Sequence, residues 1–329
     1  MFDLHLLPAP CQFAAMTQMI APISNAQQAR FAFGTMQFGG RADARQSAEM
    51  FHAAWDAGIR HFDTAWVYTD GESERILGQL IRDRRADTVV ASKVGFEGGA
   101  HPDNLQMQFD QSRARLELDQ IDLLYLHRFD PNCDLRQTLE WFARQQQTGH
   151  IRHVGLSNFA AWQVVQAAWI AAEFGLKLSA LQPMYSLVKR QAEVEILPMC
   201  AALDIVPLPY SPLGGGLLTG KYSSTDKTAG GRLRESASYG ARYGQDWMYD
   251  SAARLTALAE RHSVHPATLA VAWAAAHPSQ PAPILSARSP EQLQPSLMGM
   301  NHALTPELYD EISALSPRPA PATDRLEEQ

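Results

Sequence analysis

The chain has 329 residues, of which 46% are hydrophobic and 19% are charged, and its formal net charge is -7 at pH 7. A chain of this length and composition can bury a sizeable core, which excludes the disordered, collagen-like and membrane-spanning classes. The negative net charge, with Lys and Arg spread along the sequence, also argues against a nucleic-acid partner, because binding to phosphates relies on clustered cations.

The cysteines and the N-terminal segment predict the compartment. Cys11, Cys133 and Cys200 are odd in number and have no metal-ligand spacing, so we interpret them as isolated thiols in a reducing compartment. Residues 1–22 lack a basic start and a long apolar core, so they make a poor signal peptide. We therefore expect a cytoplasmic protein whose residues 1–30 form a poorly ordered N-terminal extension.

Short apolar runs typical of β-strands recur along the chain, and each is followed by a helical pattern. The runs cover residues 31–36, 61–65, 88–94, 121–127, 153–158, 180–186, 205–211 and 282–288. Helical patterns follow at 44–59, 73–81, 103–118, 136–147, 160–174, 193–203 and 290–300, and a long loop with further helices follows the seventh run. This alternation predicts eight βα units.

Strands that alternate with helices run parallel, either in a closed barrel or in an open doubly wound sheet. Six residues able to carry chemistry fall at or near the ends of six different strands, namely Asp63, Lys93, His127, Asn158, Gln182 and Tyr210. Those ends converge at one mouth in a barrel, whereas an open sheet would spread them along an edge. We therefore predict an α/β fold in which residues 31–316 form a single-domain (β/α)8 TIM barrel, followed by a Pro-rich polar tail at 317–329.

The segment from residue 212 to 246 departs from this repeat. Loops of this length are usually lids or binding loops, so we expect it to border the site. Its stretch from Gly215 to Lys221 has the glycine and lysine spacing of a nucleotide-triphosphate loop, but Tyr222 stands where Ser or Thr would bind Mg²⁺. The histidines show no metal-binding motif either, so no metal site is predicted.

Four ionisable groups are expected to meet at the barrel mouth: Asp63, Tyr68, Lys93 and His127. Singly they could be a turn former, a loop aromatic, a surface cation and a core histidine. Jointly they suggest proton transfer, because an ammonium held by a carboxylate would lower the pKa of a nearby phenol. Tyr68 would then transfer the proton, and Lys93 would lower the pKa of Tyr68. Asp63 would orient Lys93, and His127 would hydrogen-bond the reacting oxygen.

These residues also carry a family resemblance. DTAWVYTDGESERILG at 63–78, with ASK ending the third run and LLYLH the fourth, resembles the signature of the aldo-keto reductase superfamily. FGTMQFGG, VGLSNF, LQPMYS, PYSPLGGGLLTGKY and ILSARSPEQL extend the similarity, and the later motifs resemble bacterial enzymes, aflatoxin aldehyde reductases and potassium-channel β subunits. The resemblance implies a (β/α)8 barrel with NADPH bound in an extended form and no Rossmann domain.

The resemblance also implies roles for individual residues. Asp63, Tyr68, Lys93 and His127 match the catalytic tetrad of the superfamily without departure. Positions expected to contact the cofactor are Gly34, Thr35, Met36, Ser157, Asn158, Gln182, Tyr210, Ser211, Pro212, Leu213, Gly215, Lys221, Ser286, Arg288, Gln292 and Ser296, together with Asp63. Among these, Ser157, Asn158 and Gln182 would hold the nicotinamide carboxamide, Tyr210 would stack on the ring, and Arg288 would bind the 2′-phosphate.

Three positions at the adenosine end depart from the pattern. Ser286 stands where Gly is common, and Pro295 and Ser296 replace an acidic residue and Asn that usually hold the adenosine. These departures predict weaker adenine binding and leave the preference for NADP over NAD less defined than the chemistry.

For the substrate, we expect Trp66 to line the pocket beside Tyr68 and His127. Packing and pocket lining are equally compatible with the aromatic arc from Tyr239 to Trp247.

We therefore predict an oxidoreductase acting on CH–OH donors. It would reduce a small aldehyde or ketone with NADPH while Tyr68 protonates the oxygen. Two alternatives remain open from the sequence: a regulatory or redox-sensing NADPH-binding subunit that acts through a protein partner, and a dehydrogenase that oxidises sugars or steroids. The sequence favours neither a monomer nor a weak homo-oligomer.

Overall fold

Eight parallel strands form one sheet in the computed structural model, which describes residues 18–222, 233 and 236–328. Along the sheet the order is β7-β6-β5-β4-β3-β2-β1-β8, so each strand from β1 to β7 pairs with the next in sequence and β8 pairs with β1. The strands are β1 Ala32–Gly34, β2 His61–Asp63, β3 Val89–Val94, β4 Ile121–Leu126, β5 Ile151–Ser157, β6 Leu178–Gln182, β7 Val206–Pro207 and β8 Ile284–Leu285. The predicted alternation of strands and helices is confirmed.

One or more helices follow each strand. They are α1 Ala44–Asp56, α2 Glu72–Ile81, α3 Pro102–Leu116, α4 Leu135–Gln147, α5 Ala161–Glu173, α6 Ile196–Ala202, α7 Ala237–Tyr243, α8 Asp246–Arg261, α9 Pro266–Ala275, α10 Pro290–Met300 and α11 Pro306–Ser313. Residues 223–232 and 234–235, within the predicted long loop, lie outside the described residues. Within the described ranges, no helix is both long and apolar enough to cross a membrane.

Two backbone hydrogen bonds close the sheet into a barrel. The amide of Ala282 donates to the carbonyl of Pro207 at 2.8 Å, and the amide of Ile284 donates to the carbonyl of Pro209 at 2.9 Å. Proline lacks an amide hydrogen, so this part of the chain can accept bonds but cannot donate at those positions. The strand predicted over residues 205–211 is therefore reduced to β7, and the (β/α)8 barrel predicted from the sequence is confirmed.

Side chains alternate between the barrel interior and the layer under the helices. Val89, Ala91 and Tyr125 belong to the interior cluster. Val90 and Leu124, which alternate with them, pack in the larger cluster between the strands and the helices. The short strands are thus buried on both faces, as expected of a parallel sheet covered by helices.

The predicted N-terminal extension divides into two parts. Residues 1–17, including Cys11, lie outside the described residues, whereas residues 18–30 contact the barrel. Ile20 is buried in the interior cluster, and the carbonyl of Ala21 accepts a bond from Arg152 at 3.3 Å. Residues 18–30 therefore join the barrel instead of forming a separate extension. At the other end, residues 317–327 are largely exposed, in keeping with a polar tail.

Candidate active site

The C-terminal ends of the strands surround a cavity of about 960 Å³. β2 ends at Asp63, β5 at Ser157 and β6 at Gln182, and His127 directly follows β4. Parallel strands in a barrel bring these ends together, so residues distant in sequence share one wall. The predicted site residues that line the cavity are Gly34, Met36, Asp63, Tyr68, His127, Ser157, Asn158, Gln182, Tyr210, Ser211, Pro212, Leu213, Gly215, Lys221, Ser286, Arg288, Gln292 and Ser296.

Lys93 lies behind this wall and joins Asp63 to Tyr68. Its side chain is fully buried, and its ammonium group forms a salt bridge with the carboxylate of Asp63. It also donates to the carbonyl of Thr64 at 2.7 Å and lies 3.5 Å from the hydroxyl oxygen of Tyr68. These contacts use the three ammonium hydrogens. The other carboxylate oxygen of Asp63 accepts a bond from the amide of Gln182 at 2.9 Å.

The protonation of Lys93 and Tyr68 follows from these contacts. Burial alone would lower the pKa of Lys93, but the charge of Asp63 and the bonds to Asp63 and Tyr68 outweigh it and raise the pKa. Burial raises the pKa of Tyr68 above its ordinary value of 10.0, and Lys93 offsets this only in part. The sequence-based expectation of a lowered tyrosine pKa is therefore not met, because the cost of burying a phenolate exceeds the benefit of the ammonium.

His127 lies beside Tyr68 as a neutral imidazole. The centroid of its ring lies 6.0 Å from the ring centroid of Tyr68 and 4.9 Å from the ring centroid of Phe96. Burial, followed by the charges of Lys93 and Arg128, holds the pKa of His127 well below its ordinary value of 6.5. Nδ1 is buried and has no hydrogen-bond partner among the described residues, which leaves Nε2 as the ring nitrogen available to a group in the cavity.

A network of hydroxyl groups supports the loop that carries Tyr68. The hydroxyl of Ser73, in α2, lies 2.8 Å from those of both Thr35 and Thr64. Thr35 also donates to the carbonyl of Asp63 at 3.1 Å. Thr35 is therefore buried beneath the cavity wall instead of lining it, which corrects its predicted contact with the cofactor and gives it a structural role.

The residues expected to hold a carboxamide form a connected set. The amide nitrogen of Asn158 donates to the carbonyl of His127 at 3.0 Å and to the hydroxyl of Ser157 at 3.1 Å, and its oxygen accepts from the hydroxyl of Tyr210 at 2.7 Å. Ser157 in turn donates to the carbonyl of Gln182 at 3.2 Å. These bonds fix the orientation of the Asn158 amide and connect it to the backbone of His127.

The loop after β7 forms a glycine-rich concave wall. Ser211 has a φ of 60°, and Gly214, Gly215 and Gly216 all have positive φ values. A Cβ atom on Gly215 would lie 3.0 Å from the ring of Tyr239, and one on Gly216 would lie 3.3 Å from Nζ of Lys221. A side chain at either position would crowd its neighbour, so the two glycines let the loop backbone and the Lys221 cation border the cavity together.

The adenosine end predicted from the sequence lies between α9 and α10. The hydroxyl of Thr268 donates to the carbonyl of Pro295 at 2.8 Å, which joins the two helices at the position of the departure from the family pattern. His265, which the sequence reasoning missed, lines the cavity beside them, and its Nδ1 accepts a bond from the amide of Ala267 at 3.0 Å. The His-Pro pair at the start of a helix was the signal that could have revealed it.

Trp66 is the predicted substrate residue that the structure places elsewhere. Its indole nitrogen donates to Gln111 at 2.8 Å, so the ring packs toward α3 and is not part of the cavity wall. Val67 and Phe96 supply apolar wall instead, and Arg128 supplies a cation. Of the aromatic arc, Tyr239 lines the cavity, whereas Tyr243 is fully buried and Trp247 contacts Gln245.

Comparison with known proteins places these motifs in context. A family model described as "Aldo/keto reductase family" matches residues 30–317. The chain is 34% identical over 220 residues to aflatoxin B1 aldehyde reductase member 2 of Rattus norvegicus. That match covers 65% of this chain and 59% of the rat protein, so it spans less than two thirds of the relative's length.

Two further similarities cover most of the barrel. The chain is 31% identical over 294 residues to a probable voltage-gated potassium channel subunit beta of Oryza sativa subsp. japonica, covering 84% of this chain and 89% of that protein. The structure of the glycerol dehydrogenase AKR11B4 from Gluconobacter oxydans is similar with a TM-score of 0.75 and 26% identity, covering 87% of this chain and 90% of that chain.

Proposed function

Because this chain belongs to the aldo/keto reductase family, we propose that it reduces the carbonyl group of an aldehyde or ketone to an alcohol with NADPH, with Tyr68 as the proton donor. The observation that carries the proposal is the position of Lys93, whose ammonium contacts both the Asp63 carboxylate and the Tyr68 hydroxyl at the wall of the cavity. His127 lines the same cavity with a neutral imidazole. This is the donor set that a developing alkoxide requires.

The lining of the cavity fits a phosphate-containing dinucleotide. Gly215 and Gly216 line the cavity without side chains, and Lys221 and Arg288 add cations at two further points of its lining. Ser157, Asn158, Gln182 and Tyr210 would hold the nicotinamide, and Arg288 and Gln292 the adenosine half. NADPH, when bound, supplies the hydride that reaches the carbonyl carbon.

The residues of the chain supply the proton. Since Lys93 is a donor toward the Tyr68 oxygen, the phenolic hydrogen is left to point into the cavity. The raised pKa keeps Tyr68 protonated at neutral pH, as a proton donor must be. After transfer to the carbonyl oxygen, the Lys93 ammonium stabilises the phenolate, and Nε2 of His127 donates a second hydrogen bond to the substrate oxygen.

The test is Tyr68→Phe, which removes the hydroxyl and keeps the ring. We expect the kcat for reduction of 4-nitrobenzaldehyde or methylglyoxal to fall by about 100- to 10,000-fold, the usual contribution of a positioned acid. The dissociation constant for NADPH, measured by fluorescence titration, should stay within about twofold of the parent value, because the proposed cofactor contacts lie elsewhere.

Two outcomes would contradict the proposal. Reduction by Tyr68→Phe at the parent rate would show that another group delivers the proton. Tight NADPH binding by the parent protein without turnover of any carbonyl compound would instead favour a binding or regulatory role over catalysis.

A further inference from the structure

Two buried charged residues lie outside the cavity, behind the loop that carries Tyr68. Glu74, in the first turn of α2, is fully buried, and Arg115, in the last turn of α3, has only 17% of its side chain exposed. A guanidinium nitrogen of Arg115 lies 3.2 Å from a carboxylate oxygen of Glu74. Burying two charges requires their desolvation, so such a pair is weak evidence for a purely stabilising role.

Arg115 contacts the catalytic loop on both sides of Tyr68. The same guanidinium nitrogen donates to the carbonyl of Trp66 at 3.0 Å. Gly71 lies against the guanidinium group, since a Cβ atom at this position would be only 2.5 Å from Cζ of Arg115. The guanidinium group therefore spans the segment in which Tyr68 is located.

The backbone of this segment requires such support. Thr69, Asp70 and Gly71 have φ values of 46°, 52° and 89°, which places three consecutive residues in the left-handed region. That region is unfavourable for threonine and aspartate, and such conformations persist only where the surrounding structure fixes them. The hydroxyl of Thr69, which donates to the carbonyl of Phe38 at 2.8 Å, holds one side of the turn. Arg115 holds the other.

Glu74 extends the same network to Lys93. Its second carboxylate oxygen accepts a bond at 2.7 Å from the hydroxyl of Ser92, the residue before Lys93 in β3. The network thus joins the backbone that carries Tyr68 to the backbone that carries Lys93. The separation of 3.5 Å between the Tyr68 hydroxyl and the Lys93 ammonium is at the limit of a hydrogen bond, so a small shift of the loop would break it.

We propose that Glu74 and Arg115 are positioning residues that set the placement of the Tyr68 hydroxyl relative to Lys93. This inference rests on the proposed function, because it takes Tyr68 to be the proton donor. Neither residue touches the cavity; both act through the carbonyl of Trp66, the turn at Gly71 and the hydroxyl of Ser92.

The test is Arg115→Met in the full-length protein. We expect kcat for 4-nitrobenzaldehyde to fall about 10- to 100-fold, as when a catalytic group is displaced through its support, while the NADPH dissociation constant and the substrate KM stay within about twofold. Arg115→Lys, which keeps a donor, should recover part of the loss. Arg113→Met is the matched control: Arg113 lies on the same helix, its carboxylate contacts are both at 4.0 Å, and kcat should not change.

A second measurement does not depend on turnover. In protein labelled with ¹³Cζ-tyrosine, the NMR signal that disappears in Tyr68→Phe belongs to Tyr68. The chemical shift of this signal should change in Arg115→Met and stay the same in Arg113→Met. If the parent protein reduced no carbonyl compound, the proposed function would fail, and this signal alone would decide the positioning role.

Parental kcat in Arg115→Met, or an unmoved Tyr68 signal, would overturn the inference. Should Arg115→Met not fold, Glu74→Gln takes its place with the same expected results, because it keeps the shape of the side chain and one acceptor oxygen. If neither variant folds, the pair is a stabilising element and the positioning role is refuted.

Discussion

The central residues of the site are two buried charges with a complete set of hydrogen bonds. Lys93 donates to Asp63, Thr64 and Tyr68, and Asp63 accepts from Lys93 and Gln182. Such a pair is weak evidence for a stabilising role, because the attraction between two buried ions is largely cancelled by their desolvation. The free-energy cost of burying these charges appears in the stability of the protein only when one partner is removed.

Lys93→Met should therefore destabilise the protein strongly. The substitution leaves the Asp63 carboxylate buried with only the Gln182 amide as a partner, which typically costs about 3–5 kcal/mol of unfolding free energy. The double variant Asp63→Asn/Lys93→Met removes both charges and should recover a large part of that loss. Urea denaturation of the two variants measures the difference, and equal destabilisation would argue against an uncompensated charge as the cause.

Arg288→Ala tests the recognition of the 2′-phosphate at the other end of the cavity. A guanidinium group offers a planar pair of donors to a phosphate, and a charged hydrogen bond contributes about 1.5–3 kcal/mol. We expect the NADPH dissociation constant to rise about 10- to 100-fold and the NADH constant to change little. Arg82→Ala, at an exposed ion pair with Glu117, is the control. Equal losses for both cofactors would remove the 2′-phosphate assignment.

At the scale of elements, the loop after β7 joins the cavity to α7. Gly215 has a φ of 66°, and a Cβ atom there would meet the ring of Tyr239, in α7, at 3.0 Å. Gly215→Ala should therefore strain the loop and push α7 outward, which we expect to raise the NADPH dissociation constant by about tenfold, or 1.4 kcal/mol. Fluorescence titration measures the change.

Gly175→Ala separates backbone strain from contact with the site. Gly175 also has a positive φ, of 71°, but apart from its chain neighbours no atom of the described residues lies within 4 Å of the position of its Cβ. This variant should lose roughly 1 kcal/mol of unfolding free energy and keep the parental affinity for NADPH. If both variants lost affinity equally, the effect would come from general destabilisation and not from the loop.

How far the sequence predicts these elements depends on the kind of signal. The helix predicted at 290–300 matches α10, because Ser289, which caps it, and Pro290 mark its start in the sequence. The run 180–186 was predicted too long, since β6 ends at Gln182, where Pro183 lacks the amide needed to continue the ladder. The start of a helix can therefore be read from local residues. The length of a strand also depends on which backbone hydrogen bonds it can form with the neighbouring strands.

The same distinction applies to the site. The proximity of Asp63, Tyr68, Lys93 and His127 could be predicted because each falls in or near the end of a strand, and barrel topology brings such ends together. Trp66 was misplaced because spacing along a loop does not give the direction of a side chain, which its bond to Gln111 fixes. Arg115 has no local signal at all, since its contacts with Glu74 and Trp66 exist only once α2 and α3 are packed.

At the scale of the whole molecule, the barrel interior contains a polar residue that the site does not use. His61 is fully buried one layer below Asp63, and within the part of the chain that the structure describes neither of its ring nitrogens has a hydrogen-bond partner. Burial lowers its pKa from 6.5 to about 4, against the raising effect of Asp63 and Asp122 and with a further lowering by Lys93. The neutral ring is thus retained well into the acidic range.

This makes the stability of the barrel dependent on pH, with a defined sign. Below pH 6.5 the unfolded chain binds a proton at His61 while the folded protein does not until about pH 4, so the unfolding free energy falls as pH falls through this window. His61→Phe removes the effect. Compared with the variant, the parent should lose about 2–3 kcal/mol between pH 7.5 and pH 4.5, measured by urea denaturation. His262→Gln, at an exposed position, should follow the parent curve. Parallel curves for the parent and His61→Phe would contradict this assignment, because they would show that folding does not change the proton affinity of His61.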